Sequence, residues 1–280
     1  MHRLDPGDDM NFSGRIKRAA VCLCAAFIFS IIWSLAYSAS AQEIHINLFE
    51  EQPNPSSFHI EVIAVHAAEE RKFKVYIYHT HTHEAYDTRD GNEYKETEKW
   101  RTADSNYSVV RLGSELRKAL ENAGIEVMHD LSDYEMPKLS SAYSRSLKGL
   151  EEAAKVGYDL YIDLHRDSYS ENNGPNTIEK KGENLGRFLF LIGKGTGTGF
   201  DEKPDWEANA KAAQIISDAL NDQATGLSRG IKYKSGRYNQ HAAMPSILIE
   251  AGNNQNTLSE MLHTVPYLAH AICVYLDTLK

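Results

Sequence analysis

The chain has 280 residues, which suffice for one large domain or two small ones with a sizeable apolar core. Its 39 acidic and 30 basic residues give a formal net charge of −9. This acidic balance excludes a general electrostatic attraction to nucleic acid or to anionic membrane surfaces, so we expect no nucleic-acid partner.

Residues 1–42 have the composition of a targeting segment. A basic cluster at 15–18 precedes an apolar run at 19–35, and Ala39-Ser-Ala41 follows, with the small residues that signal peptidases recognise. The run is slightly long for a signal peptide and slightly short for a spanning helix, which needs about 20 apolar residues. A cleaved signal and an uncleaved membrane anchor therefore both stay open. Either one predicts an exported protein of the cell envelope, membrane-anchored or secreted.

Residues 43–71 are interpreted as a linker that could add an edge strand or a hairpin. Two short stretches of alternating apolar residues, at 44–49 and 58–65, are separated by a segment with two prolines and two serines. We expect the catalytic domain to begin after this linker and to comprise residues 72–280.

Strand-like and helix-like segments alternate from residue 72 to the carboxyl end. Short apolar runs predict the strands, and apolar residues three and four apart predict the helices. The predicted strands are 75–78, 125–129, 160–164, 188–192 and 246–250. The predicted helices are 106–123, 142–156, 207–220 and 258–279. This alternation predicts an α/β fold with a mostly parallel sheet flanked by helices.

Unusual polar residues follow three of the predicted strands. The first leads into His79-Thr-His81-Thr-His83-Glu84, the third into His165-Arg166-Asp167, and the last into Glu250. Ligands bind beyond the carboxyl ends of parallel strands. We therefore expect these side chains to converge at one edge of the sheet.

The spacing within the first of these segments predicts a zinc site. His81 and Glu84, three residues apart on a tight turn, can supply two ligands, and His165 from another strand can supply the third. Two histidines and one glutamate with an open position form the ligand set of a catalytic Zn2+ site. Zinc lowers the pKa of bound water from about 15.7 to about 7. Glu250, whose pKa burial would raise, is the candidate general base.

The neighbouring residues have less specific interpretations. His79 would support the site, and His83 would be a bystander. His129 either caps the end of its strand or lies near the site. Arg166 is a catalytic candidate, because a guanidinium could bind a substrate carboxylate or stabilise an oxyanion.

A polar segment with several glycines, at 226–240, precedes the last strand. It is either an ordinary connection or a substrate-facing loop in which Arg237, Asn239 and Gln240 donate hydrogen bonds to an anionic peptide. Structural explanations also exist for the candidate site residues: a buried histidine at 165, an exposed His-rich loop, or a salt bridge between Glu250 and an arginine.

Four motifs of the sequence resemble stage II sporulation protein P, and they occur in that family's order. They are 75–86 (VYIYHTHTHEAY), 162–168 (IDLHRDS), 226–230 together with 236–240, and 248–252 followed by Asn256-Thr257. The resemblance extends from about residue 72 to the carboxyl end. More distantly, the pattern is similar to zinc N-acetylmuramoyl-L-alanine amidases.

This resemblance implies an amidase-like or zinc-exopeptidase-like sandwich that hydrolyses peptidoglycan at the amide between N-acetylmuramic acid and L-alanine. The family is also associated with cleavage of peptide cross-links. It implies a zinc enzyme anchored in the membrane, often acting with a glycan-strand-cleaving partner protein. By motif position, His81 and His165 match metal ligands and Glu250 matches the catalytic carboxylate, whereas Glu84 is inferred from spacing and from the acidic residue usual there. His83 replaces a small hydroxyl residue of the family.

Two other functions stay open. A zinc carboxypeptidase or a cross-link endopeptidase would use the same metal site. A wall-binding or activator module would not need catalysis.

Overall fold

The structure is a computed structural model that describes residues 71–197 and 199–280. The predicted targeting segment at 1–42 and the predicted linker at 43–71 lie outside the described residues, apart from Arg71. Residues Lys72–Lys280 form one compact unit. None of the helices in the described part of the chain is both long and apolar enough to cross a bilayer.

The described residues contain eight strands and five α-helices. The strands are β1 (Lys74–Tyr78), β2 (Glu126–His129), β3 (Leu160–Asp167), β4 (Thr177–Lys180), β5 (Glu183–Gly186), β6 (Phe188–Gly193), β7 (Ser228–Lys234) and β8 (Ser246–Asn253). The helices are α1 (Val109–Asn122), α2 (Ala142–Val156), α3 (Trp206–Gln223), α4 (Leu258–Leu262) and α5 (Val265–Asp277). The five predicted strands and the first three predicted helices are confirmed, with ends that differ by a few residues.

Six strands form one sheet in the order β2-β1-β3-β8-β6-β7, and β4 and β5 form a separate antiparallel hairpin. The four strands from β2 to β8 run parallel to one another. β6 is antiparallel to β8, and β7 is parallel to β6. The mostly parallel α/β fold is therefore confirmed, with one reversal of strand direction between β8 and β6.

Both faces of the sheet are covered. Val75 and Ile77 of β1 point into a large apolar core that also contains residues of α1, α3 and α5. Tyr76 and Tyr78 of the same strand point to the other face, where α2 contributes Leu150. Burial on both faces is the usual state of a parallel sheet, and it explains the continuous apolar runs from which the strands were predicted.

The predicted helix at 258–279 is wrong, because the structure has two helices there. Thr257 begins α4 with a capping box, in which its hydroxyl accepts the Glu260 N–H and the Glu260 carboxylate accepts the Thr257 N–H. Helix α4 ends at Leu262, and α5 begins at Val265. Pro266 lies in the first turn of α5, where a residue without an N–H is tolerated.

The hairpin β4–β5 and the strand β7 were not predicted. β7 lies within the segment 226–240 and is the edge strand of the sheet, and most of its side chains are partly or fully exposed. Its charged residues and Gly230, which has a positive φ of 84°, interrupt the alternation of apolar residues from which a strand is predicted.

Candidate active site

The candidate site lies on the face of the sheet that α2 covers. β3 and β8 are parallel neighbours, and His165 pairs in register with Glu250. Both residues lie within their strands and not beyond them, because β3 continues to Asp167 and β8 to Asn253. β1 is the other neighbour of β3, so the His-rich turn that follows β1 reaches the same place.

The His165 ring lies between two carboxylates. Its Nδ1 is 3.4 Å from Oε2 of Glu84, and its Nε2 is 2.8 Å from Oδ1 of Asp163 in an ion-pair contact. Burial by itself lowers the pKa of His165, but the charges of Asp163 and Glu84 outweigh it and raise the pKa well above its ordinary value. The potential at this position therefore favours a cation.

Asp163 has the position of a residue that orients His165. Its Oδ1 accepts the Thr80 N–H at 2.8 Å, and its Oδ2 accepts the Thr80 hydroxyl at 2.7 Å. The same hydroxyl lies 2.8 Å from Oγ of Ser146 in α2. Asp163 was not predicted as a site residue. The available signal is an acidic residue inside an otherwise apolar strand, two positions before His165.

The Glu84 carboxylate is ionised and held in place. Its Oε2 accepts the main-chain N–H of Arg166 at 3.0 Å. Burial would raise the pKa of Glu84, but the hydrogen bond and charge of His165, together with Arg166, lower it to about 2. Glu84 can therefore act as an anionic ligand at neutral pH.

His81 is more accessible than His165, with 23% of its side chain exposed. Its ring is nearly perpendicular to the His165 ring, with 5.3 Å between the ring centroids. Its Nδ1 lies 3.2 Å from Oε1 of Glu135. The structure thus brings His81, Glu84 and His165 together, as their positions at the strand ends predict.

Glu250 has a buried carboxyl oxygen, Oε2, without a hydrogen-bond partner. Burial raises the pKa of Glu250 to about 8; the positive charge of His165 opposes this rise, and the charges of Glu84 and Asp167 add to it. An unpartnered buried carboxyl oxygen costs free energy and calls for an explanation. A role in proton transfer to or from a substrate supplies one.

Two further carboxylates hold the His-rich turn from the side of the loop after β2. Asp133 accepts the Thr82 hydroxyl at 2.8 Å and lies 2.9 Å from Nε2 of His83. Glu135 lies 3.2 Å from Nδ1 of His83 and also pairs with Arg101. Both ring nitrogens of His83 are thus in contact with carboxylates. The sequence offered no signal for Asp133 or Glu135, because charged loop residues are ordinarily solvated.

His79, which is buried, and His129, which is half-buried, form a pair next to the turn. Nδ1 of His79 is 2.7 Å from the carbonyl oxygen of Leu164, and the two Nε2 atoms are 2.8 Å apart. Burial lowers the pKa of His79 to about 4 and that of His129 to about 3. Gly113 of α1 makes room for this pair, because a Cβ there would lie 2.7 Å from both Nε2 atoms.

The donor set fits zinc in its chemistry. Two atoms bound to zinc at about 2.0–2.1 Å in a tetrahedral site are roughly 3.4 Å apart, and the Nδ1 of His165 and the Oε2 of Glu84 have that separation. Within residues 71–197 and 199–280, no three His, Cys, Asp or Glu side chains are already arranged closely enough to hold a metal ion.

Residues 36–273 match the model of the family Stage II sporulation protein P (SpoIIP). The chain belongs to this family. A search of curated protein sequences finds no significant match.

Several solved structures are similar to this chain at low sequence identity. The N-acetylmuramoyl-L-alanine amidase AmiC2 of Nostoc punctiforme is 16% identical, with a TM-score of 0.45 over 75% of this chain and 98% of that chain. The CwlD amidase from Clostridioides difficile, solved in complex with the GerS lipoprotein, is 15% identical, with a TM-score of 0.47 over 74% and 98%. A metallo-carboxypeptidase from Burkholderia cenocepacia is 12% identical, with a TM-score of 0.40 over 76% and 59%.

Arg166, within the SpoIIP-like motif at 162–168, does not have the predicted catalytic position. Its buried guanidinium donates from Nε to the carbonyl of Ala85 at 2.9 Å and from Nη2 to that of Trp100 at 3.1 Å. These bonds fasten the chain after the His-rich turn to β3. Arg166 therefore supports the fold through these bonds, and its predicted catalytic role has no support in the structure.

Asn239 and Gln240, within the motif at 236–240, also have structural contacts, and their predicted role in substrate binding has no support in the structure. Oε1 of Gln240 accepts the Gly193 N–H, and its Nε2 donates to the Leu191 carbonyl, both at 2.8 Å. Nδ2 of Asn239 donates to the carbonyl of Tyr143 at 2.8 Å. Both side chains are buried, and they supply hydrogen-bond partners for main-chain groups of β6 and α2.

Arg237 points away from the site as well. Its Nη1 donates to the carbonyl of Glu202 at 3.3 Å, and its guanidinium lies 4.6 Å from the centroid of the Phe200 ring. This contact holds the loop that follows β6. The predicted role of Arg237 in substrate binding therefore has no support in the structure.

Two tyrosines border the site, and neither was predicted. The Tyr143 ring of α2 lies 5.6 Å from the His81 ring and 6.0 Å from the Tyr238 ring, between centroids. Tyr238 has a φ of 50°, in the left-handed region that non-glycine residues rarely adopt. Burial, followed by nearby carboxylates that include Glu250, raises the pKa of both phenols. The two rings form an aromatic wall beside His81.

Proposed function

We propose that this protein is a zinc-dependent N-acetylmuramoyl-L-alanine amidase that acts on peptidoglycan. The observation that carries the proposal is the unpartnered carboxyl oxygen of Glu250 beside the group of His81, Glu84 and His165. Membership of the Stage II sporulation protein P family supports it independently.

His81, Glu84 and His165 would hold the zinc ion. Bound zinc would lower the pKa of the attacking water and polarise the carbonyl of the scissile amide. Asp163 would keep the His165 ring in one orientation, with Nδ1 toward Glu84, and Glu135 would do the same for His81 from its Nδ1 side. Carboxylates that contact ligand histidines in this way are common around zinc.

Glu250 would move the proton. Its carboxylate accepts a proton from the water as the water oxygen bonds to the amide carbon, and it then gives that proton to the nitrogen as the carbon–nitrogen bond breaks. Burial raises the pKa of Glu250 toward neutrality, and a carboxyl group tuned in this direction can serve as base and acid in turn. The products would be N-acetylmuramic acid and a peptide that begins with L-alanine.

We propose that this reaction takes place outside the cytoplasm. The basic cluster and apolar run at the amino terminus are typical of an export signal or an anchor, and peptidoglycan is an extracytoplasmic polymer. The chain would then be membrane-anchored or secreted. A glycan-strand-cleaving protein is the proposed partner, because an amidase that removes peptides leaves glycan strands for another enzyme.

Metal analysis of the purified protein tests the site. We expect about one zinc ion per chain, and we expect His81→Ala and His165→Ala each to lose it. His83→Ala is the matched control: it lies on the same turn but contacts only carboxylates, so it should retain zinc. Full zinc content in both ligand variants would contradict the proposed metal site.

Product analysis tests the reaction. Mass spectrometry of digested peptidoglycan should show free peptides with an L-alanine amino terminus. Opened cross-links without such peptides would indicate an endopeptidase, and release of carboxyl-terminal amino acids would indicate a carboxypeptidase. Binding to wall sacculi without any product would indicate a non-catalytic module.

A further inference from the structure

Two arginines lie at the catalytic edge of the sheet, and the reversal of strand direction brings them there. Arg187 immediately precedes β6, and its carbonyl accepts the N–H of Gly252, two residues beyond Glu250, at 2.9 Å. Arg229 lies at the start of β7, and its Nη2 donates to Oδ2 of Asp167 at 3.0 Å. Both side chains therefore lie directly beyond the pair of His165 and Glu250.

These arginines line a shallow depression of the surface. Its wall consists of Pro175, Asn176, Arg187, Arg229, Gly252 and Asn253. Nδ2 of Asn253 donates to Oδ1 of Asn176 at 2.7 Å, which fixes the side opposite the arginines. The depression is therefore bordered by fixed polar groups from the ends of three strands and one loop.

The depression has more positive than negative charge in direct contact with it. Arg187 donates from Nε to the carbonyl of Gly226 at 2.6 Å and from Nη1 to that of Pro175 at 2.9 Å, and neither acceptor carries a charge. Asp167 is the carboxylate that pairs with Arg229. Burial and the charge of Arg229 lower the pKa of Arg187. The chain as a whole has a net charge of −9, so this pair of guanidinium groups forms a positively charged region on an acidic protein.

We propose that Arg187 and Arg229 form a subsite for a carboxylate of the peptide on the amine side of the scissile bond. The inference rests on the proposed amidase function, because that function supplies the peptide. Asn253 is three residues beyond Glu250 on β8, about 10 Å at roughly 3.3 Å per residue. An extended acidic peptide spans that length in about three residues. Guanidinium groups recognise carboxylates by paired, charge-assisted hydrogen bonds.

A binding experiment tests the subsite without catalysis. The probe is the free tripeptide L-alanyl-γ-D-glutamyl-L-lysine, compared by titration calorimetry with the same tripeptide whose carboxylates are converted to amides. We expect the full chain to bind the acid at least about tenfold more tightly than the amide. In Arg187→Gln the two affinities should come within about twofold of each other, and Arg229→Lys, which keeps the charge, should retain part of the preference.

Arg117→Gln is the matched control, because Arg117 lies on the surface of α1 and pairs only with Glu121. It should behave as the parent protein. Circular dichroism verifies that each variant is folded, and Arg187→Lys replaces Arg187→Gln if the latter is not. Equal binding of acid and amide by the parent would overturn the proposal. Displacement of the tripeptide by inorganic phosphate at equal concentration would overturn the assignment to a peptide.

Hydrolysis separates this inference from the proposed function. The substrates are N-acetylmuramoyl tripeptides in the acid and amide forms, and the preference for the acid in kcat/KM should fall in Arg187→Gln. Cleavage of both forms with an unaltered preference would overturn the subsite and leave the amidase standing. Arginine-dependent binding of the acid without cleavage of either substrate would support the subsite and overturn the amidase.

Discussion

On one side of Glu250 the sheet is parallel, and on the other side it reverses. β1 and β3 bring His81, Glu84 and His165 to the edge at or beyond their carboxyl-terminal ends. β6 and β7 reach the same edge with their amino-terminal ends, and they bring Arg187 and Arg229. The parallel half and the reversed half of the sheet thus bring residues to this edge with opposite ends of their strands.

The difference explains why one half was predictable. A parallel sheet places the carboxyl ends of all its strands at one edge, so a search after each predicted strand finds the residues of that half. The direction of β6 depends on its pairing with β8, which lies more than fifty residues further along the chain. The polar segment at 226–240 instead supplied Arg237, Asn239 and Gln240, which hold the scaffold. The arginines before β6 and within β7 were not predicted.

The largest expected effect on activity is that of changing Glu250, which lies between the parallel half and the reversed half of the sheet. Glu250→Gln keeps the size of the side chain but cannot accept the proton, so kcat/KM for the muramoyl amide should fall by about 10²–10⁴-fold. Zinc content should not change. Glu183→Gln, an exposed position in β5, is the control and should keep full activity. A Glu250→Gln protein that digests peptidoglycan at the rate of the parent would show that this carboxylate does not move the proton.

An intermediate effect is expected within the parallel half. Asp163→Asn removes the charge that faces Nε2 of His165, so zinc affinity should fall by about 10–100-fold while the fold persists. Competition with a chelator of known affinity measures this change. Asp218→Asn, on the exposed surface of α3, should have no effect. Unchanged zinc affinity in Asp163→Asn would mean that the contact with His165 does not orient the ligand.

The smallest effect on activity is expected in the reversed half. Gln240→Ala leaves the Gly193 N–H and the Leu191 carbonyl without their side-chain partner, so the free energy of unfolding should fall by about 1–3 kcal/mol. KM should be unchanged, because this side chain is buried in the scaffold. Urea unfolding and steady-state kinetics measure the two quantities. Gln214→Ala, exposed on α3, is expected to stay within about 0.5 kcal/mol of the parent. A raised KM with normal stability would instead support the predicted contact between Gln240 and the substrate.

The fold was more predictable than its details. Apolar runs predicted the four mutually parallel strands from β2 to β8 and also β6, because most of these strands are buried on both faces and have apolar side chains. The same signal failed for β7, an edge strand with three lysines or arginines, and for the hairpin β4–β5, which contributes few buried residues. It also joined α4 and α5 into one helix, because both are apolar and only His263 and Thr264, just before Pro266, separate them.

Within the site, sequence spacing found the residues with unusual chemistry but not those that hold them. The residues with unusual chemistry are polar side chains that directly follow apolar runs of the sequence: His81, Glu84, His165 and Glu250. Asp133 and Glu135 lie in a loop that crosses the His-rich turn, and no local sequence pattern predicts the path of that loop. Tyr143 belongs to a helix whose sequence resembles that of any other amphipathic helix.

The sequence by itself determined the alternation of strands and helices, the membership of the Stage II sporulation protein P family, and the set of candidate metal donors. These properties are local, because they depend on side-chain type and short spacing. Only the tertiary structure decided that β6 runs against β8, that Arg166, Asn239 and Gln240 have buried main-chain partners, and that Arg187 and Arg229 lie at the same edge of the sheet as His165 and Glu250. These properties depend on contacts between residues far apart in the chain, which form only when the strands pair.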